Sequence, residues 1–231
     1  LKKVVVTFDR SPANVACVQC RLNYFNREEN WLTRLFTLDY SLWFDLMLPG
    51  LEKLKVPIPL GGTSNHFRMD VLRELRAWDP FNVTEDADLG FRLHALGYRC
   101  DVIAPVTLEE APTRIWPWVC QRTRWLKGYA QTLIVHSRPF DRTPRRQNRL
   151  PLTLTLGAAL ISALAHAPIA AACLLGLLIA PNADGTGLLF GGFLAAGYAT
   201  SAATAAIGMR RAGLGVRLTD LLLMPLYWPL Q

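Results

Sequence analysis

The chain has 231 residues, 51% of them hydrophobic, and a formal net charge of +7. That length fits one large or two small domains. Arg residues crowd the ends of apolar stretches and do not form a basic face interleaved with base-reading groups, which argues against nucleic-acid binding; membrane lipids with anionic headgroups account for the excess.

Asn14 to Leu22 reads as a strand. Its Cys17 and Cys20 form a C-x-x-C with no second pair and no His-x-x-x-His, so zinc is not expected. In a strand these two positions face opposite sides, and the five cysteines of the chain read as reduced thiols. Asn30 to Leu48 has helical spacing and is expected to end at Pro49-Gly50. Arg34, Asp39 and Asp45 make it a core or interfacial helix and not a span. Pro57 to Asn65 reads as a loop in which Gly61 and Gly62 would let the backbone approach a ligand, although a plain turn has the same signature.

Met69 to Leu75 is expected to be a short helix, followed by a turn at Trp78-Asp79-Pro80. Thr84 reads as the N-cap of the next helix, with Glu85, Asp86 and Asp88 in its first turn. Acids there are stabilised by the helix dipole without any chemistry, which is the simpler local reading. A carboxylate held at a helix start can also serve as a base. Tyr98 to Ile103 reads as a strand, with Glu109-Glu110 in the loop beyond. Trp116 to Val135 reads as a helix on which Gln121, Arg124 and Trp125 share one face at i, i+3 and i+4. That face offers an amide, a permanent cation and a flat ring. An amphipathic helix with a buried Trp and a solvated Arg would show the same pattern.

Leu150 to Ala180 and Gly187 to Met209 contain no Asp, Glu, Lys or Arg. About 20 such residues cross a bilayer core. Spans are therefore expected over about 151–180 and 187–209, with a third, truncated one over 216–231. The division follows: a soluble part over 1–140 and a membrane part over 141–231. Arg142, Arg145, Arg146 and Arg149 precede the first span, and Arg210, Arg211 and Arg217 follow the second. The intervening loop carries only Asp184. Positive-inside bias then places the soluble part in the cytoplasm of an inner-membrane protein.

Thr84-Glu85-Asp86, followed by Gln121-x-x-Arg124-Trp125 and then by apolar spans, resembles the cellulose synthase-like, membrane-bound family-2 glycosyltransferases. Val18-Gln19 and the Gly62 to Asn65 loop add to a likeness that runs from about Asn14 to the chain end. The resemblance implies an α/β fold: the C-terminal part of a GT-A-type glycosyltransferase domain followed by transmembrane α-helices. It implies a nucleotide-sugar donor such as a UDP-sugar, and a saccharide or lipid-linked acceptor. Asp86 would be the general base of an inverting displacement, with Glu85 and Thr84 shaping its turn. Arg124 would stabilise the leaving diphosphate, Trp125 would stack on the acceptor, and Gln121 would bond hydroxyls or phosphate. Gly62, Thr63 and Ser64 would line the acceptor channel.

The family also uses Mg²⁺ or Mn²⁺, held by an Asp-x-Asp in an earlier half. Here Asp9 stands alone, and Asp86-Ala87-Asp88 belongs to the base motif, so the metal ligands are expected outside this chain. The chain accordingly reads as an internal fragment, inactive by itself. Three functions are carried forward: a polysaccharide-type transferase, a transferase acting once on a lipid-linked acceptor, and a non-enzymatic membrane receptor or scaffold of the same shape. A stacking Trp suits the first.

Overall fold

The computed structural model describes residues 1–138, 149–179 and 186–230. The expected domain boundary near 140, Arg142, Arg145, Arg146 and the loop with Asp184 lie outside the described residues, as does the side chain of Arg149.

Among the described residues the sheet has three strands in the order β2-β1-β3. The middle strand, β1 (Val15–Tyr24), runs antiparallel to β2 (Asn65–Phe67) and parallel to β3 (Arg99–Glu109). A strand covered on both faces needs apolar or fully bonded residues at every position. Of its ten residues only Arg21 is not fully buried. Cys17 packs with Leu22, Phe44 and Leu89 in the largest core cluster, whereas Cys20 packs with Val4 in another. Val4 comes from a first helix, α1 (Lys2–Arg10), for which the sequence reading has no element.

β3 is longer than expected, because Glu109 ends the strand and does not lie in the loop. Pro105 has no N–H to give the ladder, and the register of β1 against β3 shifts between Cys20 and Arg21. The Arg21 guanidinium caps the irregularity by donating to Ala104 O at 2.7 and 3.1 Å.

The expected helix over 30–48 does not end at Pro49-Gly50. Helix α2 (Trp31–Ser41) passes into a π-helical turn (Leu42–Met47) and then into α3 (Leu48–Lys53), with Pro49 in its first turn. Proline is tolerated there because a first-turn N–H has no intrahelical partner in any case. Asn30 and Thr33 form a reciprocal capping box at the start. The charged residues inside this helix are paired: Arg34 with Asp220 at 2.9 Å, Asp45 with Arg21 at 2.5 Å, and Asp39 with Arg122.

The remaining elements are α4 (Met69–Glu74), α5 (Glu85–Ala95), α6 (Ile115–Ser137), α7 (Arg149–Leu152), a second π turn (Thr153–Gly157), α8 (Ala158–Ile179), α9 (Thr186–Arg211) and α10 (Leu218–Tyr227). Two helical stretches, Leu150–Ile179 and Gly187–Arg211, are long and apolar enough to cross a membrane, with mean hydropathies of 2.0 and 1.3. α10 has ten residues and packs Met224 and Tyr227 into the aromatic cluster that also holds Phe36 and Trp118. Gly208 lets α9 lie directly on the first π turn, since a Cβ there would fall 2.8 Å from Leu42 N.

Candidate active site

The site forms where the loop before β2, the turn into α5 and helix α6 meet. The loop is held from beneath by Gln19, a fully buried residue of β1. Gln19 Oε1 accepts from Gly61 N at 3.1 Å, and its Nε2 donates to Thr63 O at 2.9 Å. Asn65 Nδ2 donates to Gly61 O at 2.6 Å. Ser64, in the left-handed region at φ 58°, accepts through its carbonyl from Cys20 N and through its hydroxyl from Thr107. Each of these polar groups would be costly to bury unpaired, so together they specify one loop conformation.

The result is a close approach. A Cβ on Gly62 would lie 3.1 Å from Asp86 Oδ2. The glycine is therefore more than a plain turn residue: it leaves room beside one carboxylate oxygen. The other, Oδ1, accepts from Ala87 N at 2.8 Å. Burial pushes the Asp86 carboxyl up to about 6, the Ala87 N–H pulls it down, the Glu85 charge raises it further and the Arg124 guanidinium lowers it. Such a carboxyl is ionised near neutral pH yet is a stronger base than an exposed aspartate.

Thr84 stands at the N-cap position but does not cap. Its side chain makes no cap hydrogen bond, and its Oγ1 is buried without a partner among the described residues. Asn82 Oδ1 instead accepts from Thr84 N at 3.0 Å. The Thr84 side chain packs on α6, where a Cβ on Gly128 would fall 2.3 Å from Thr84 Oγ1. Steric contact, and not helix capping, explains a threonine here.

On α6 the expected common face is divided. Gln121 and Arg124 line an open cleft of about 690 Å³ together with Glu110, Arg114 and Cys120. Gln121 Oε1 is buried without a partner among the described residues. Trp125 turns the other way, into the aromatic cluster: its ring centroid lies 6.1 Å from Phe36 and 6.3 Å from Tyr40. Tyr129, one turn on, is partly buried, and desolvation with the Asp86 charge pushes its phenol up to about 12.

Sequence reasoning missed Arg122. Its guanidinium pairs with Asp39, donates to Tyr227 Oη at 3.3 Å, and lies 5.0, 5.5 and 5.3 Å from the Phe36, Trp118 and Trp125 ring centroids. It also missed Asn82, Gly128, Thr132 and His136. The one sequence signal for the last three is the recurrence of Arg124, Gly128, Thr132 and His136 every four residues along one helix row.

The donor set does not fit a divalent ion. Asp88 is occupied by His136 and Arg92, both at 2.7 Å, so Asp86 and Asp88 do not chelate as a pair. Among the described residues no cluster of three His, Cys, Asp or Glu side chains is placed to hold a metal.

Comparison with known proteins identifies a family. The family described as Glycosyl transferase family group 2 matches residues 1–207. A probable glycosyltransferase of Bacillus subtilis is 25% identical over 128 residues, covering 55% of this chain and 30% of that protein. A probable glycosyltransferase of Sulfolobus acidocaldarius is 33% identical over 87 residues, 38% of this chain and 19% of that protein. A beta-monoglucosyldiacylglycerol synthase of Trichormus variabilis is 29% identical over 134 residues, 55% of this chain and 27% of that protein. The chain thus spans less than a third of each relative's length.

Proposed function

The chain belongs to the glycosyl transferase family group 2, and from that premise we propose that it carries the acceptor-and-base side of an inverting, membrane-bound glycosyltransferase. The observation that supports this best is Asp86, a partly buried carboxyl raised to about 6, with Gly62 beside one oxygen and Arg124 within electrostatic reach. An acceptor hydroxyl attacks the anomeric carbon of a nucleotide-sugar, probed first as a UDP-sugar. The new C–O bond forms as the C–O bond to the diphosphate breaks. The electron pair leaves with the diphosphate, and the hydroxyl proton passes to the Asp86 carboxylate. Arg124, always charged and forked, stabilises the charge building on the leaving group. Gln121, beside it in the cleft, bonds hydroxyl or phosphate oxygens. Any divalent metal bound with the donor would neutralise the same diphosphate.

Helices Leu150–Ile179 and Gly187–Arg211 would anchor the site at the cytoplasmic face of the inner membrane, beside membrane lipids. Two acceptors follow. A stacking role for Trp125 would favour a growing polysaccharide. The printed name of the Trichormus variabilis relative favours a single transfer to a lipid acceptor, and the packing of Trp125 against Phe36 and Tyr40 leaves less of its ring for a sugar chain. The full-length protein in membranes, given a panel of radiolabelled UDP- and GDP-sugars, decides both points. Transfer that is lost in Asp86→Asn supports the enzyme; near wild-type transfer in that variant rejects the base. Label in an organic-extractable product marks a lipid acceptor, and a high-mass ladder on a gel marks a polysaccharide.

A further inference from the structure

Arg124, Gly128, Thr132 and His136 lie four residues apart on α6, and each meets the segment that carries Asp86. Arg124 acts on Asp86 through its charge. Gly128 receives the Thr84 side chain. Thr132 Oγ1 accepts from Asn82 Nδ2 at 2.9 Å, with both residues buried. His136 Nε2 meets Asp88 Oδ1 at 2.7 Å, also buried. An ionised carboxylate has no proton to give, so the histidine nitrogen donates. Asp88 Oδ2 accepts from Arg92, which also donates to Leu75 O at 2.6 Å and Ala77 O at 2.7 Å.

Asp86 itself is held locally, by the backbone N–H groups of Ala87 and of its own residue, with glycine on the open side. Its place relative to Arg124 is set by its neighbours. The contacts at Asn82, Thr84 and Asp88 flank it on both sides in sequence, and all three end on the helix that bears Arg124. A helix row is rigid over three turns, so these contacts transmit one register from His136 to Arg124.

Resting on the function proposed above, we propose that His136, with Thr132 and Asn82, is a positioning residue of the transfer reaction: its buried hydrogen bond to Asp88 locks the turn carrying Asp86 in register with Arg124. The row extends the site from the exposed cleft to the last turn of α6. His136 touches no substrate. It acts through Asp88, two residues from the base.

The test uses the full-length protein in membranes, with the nucleotide-sugar that supports turnover, and the variants His136→Ala, His136→Gln and Asp86→Asn. A misplacement of about 1 Å in a catalytic group can cost about 10²-fold. His136→Ala is expected to lower kcat by roughly ten- to a hundredfold with donor KM within about twofold. His136→Gln, whose amide nitrogen can occupy the place of Nε2, should recover most of it. Backbone amides of residues 84–88 should exchange with deuterium faster in the alanine variant and return to wild-type rates in the glutamine variant. Wild-type kcat in His136→Ala would overturn the proposal. So would equal losses in both variants, with a matching fall in melting temperature and faster exchange throughout the protein. An active Asp86→Asn rejects the base itself, whereas an inactive one beside a fully active His136→Ala rejects only the positioning role. The exchange result stands without any donor.

Discussion

Thr84 and Gly128 are locked side chain against backbone: a methyl on Gly128 would overlap Thr84 Oγ1 at 2.3 Å and Cγ2 at 2.5 Å. Alanine in a helix is ordinarily about 1 kcal/mol better than glycine. Here overpacking opposes that gain by about 1–3 kcal/mol. Gly128→Ala is therefore expected to lower thermal stability, and to lower turnover further by moving the turn that carries Asp86. A second change, Thr84→Ala, removes the two nearest atoms and leaves only its Cβ, at 2.8 Å, so it should restore part of the stability; calorimetry on the two variants checks it.

Asp86 links activity and stability with opposite signs. Its folded value of about 6 lies above an unfolded value of about 3.9. The protonated form is thus the one the fold prefers. The contribution to stability is fully present below about pH 4 and is lost as pH rises through about 6. Ionised Asp86 costs on the order of 2–3 kcal/mol at pH 7. Asp86→Asn should raise the melting temperature at pH 7–8 while cutting turnover by about 10²–10⁴-fold. In the wild type, turnover should fall on the acid side with a midpoint near 6, read from a pH–rate profile.

Gly62→Ala places a methyl group 3.1 Å from Asp86 Oδ2. The loop cannot yield freely, because Gln19 and Asn65 bind Gly61 and Thr63 on either side. Turnover is expected to drop roughly tenfold or more, in line with small misplacements in other sites. Melting temperature should change little, since Gly62 is exposed. Steady-state kinetics beside a melting curve separate the two effects.

Arg122 and Arg124 are two residues apart and should respond differently. Arg122→Ala removes the ion pair to Asp39 and a cation stacked among Phe36, Trp118 and Trp125. It should destabilise the protein by about 3 kcal/mol or more. Lysine should not rescue it, because a point charge cannot stack as the planar guanidinium does. Arg124 is exposed on the cleft, so Arg124→Ala should leave the melting temperature near wild type and lower kcat more than acceptor binding.

Several parts of this protein were legible from local pattern. The strand at β1, the acidic start of α5 and the helix bearing Gln121 to Trp125 follow from alternation, capping composition and helical spacing. The apolar stretches after Leu150 need no more than a count of uncharged residues. Other features were misread because a second element decides them. Pro49 looks like a stop, yet the π turn before it carries the chain on into α3. Thr84 looks like a cap, yet its side chain answers to Gly128.

Carboxylates, guanidiniums and indoles at helical spacing are visible without a fold, so the candidate groups could be read from the chain alone. Which of them meet is set by contacts across the fold. Gln19 holds the Thr63 carbonyl across 44 positions, Asn82 meets Thr132 across 50, and Asp88 meets His136 across 48. No local periodicity encodes contacts at such separations. They exist because packing β1 beneath the loop before β2, and α6 against α5 and the turn leading into it, buries polar groups that must then be satisfied by one another.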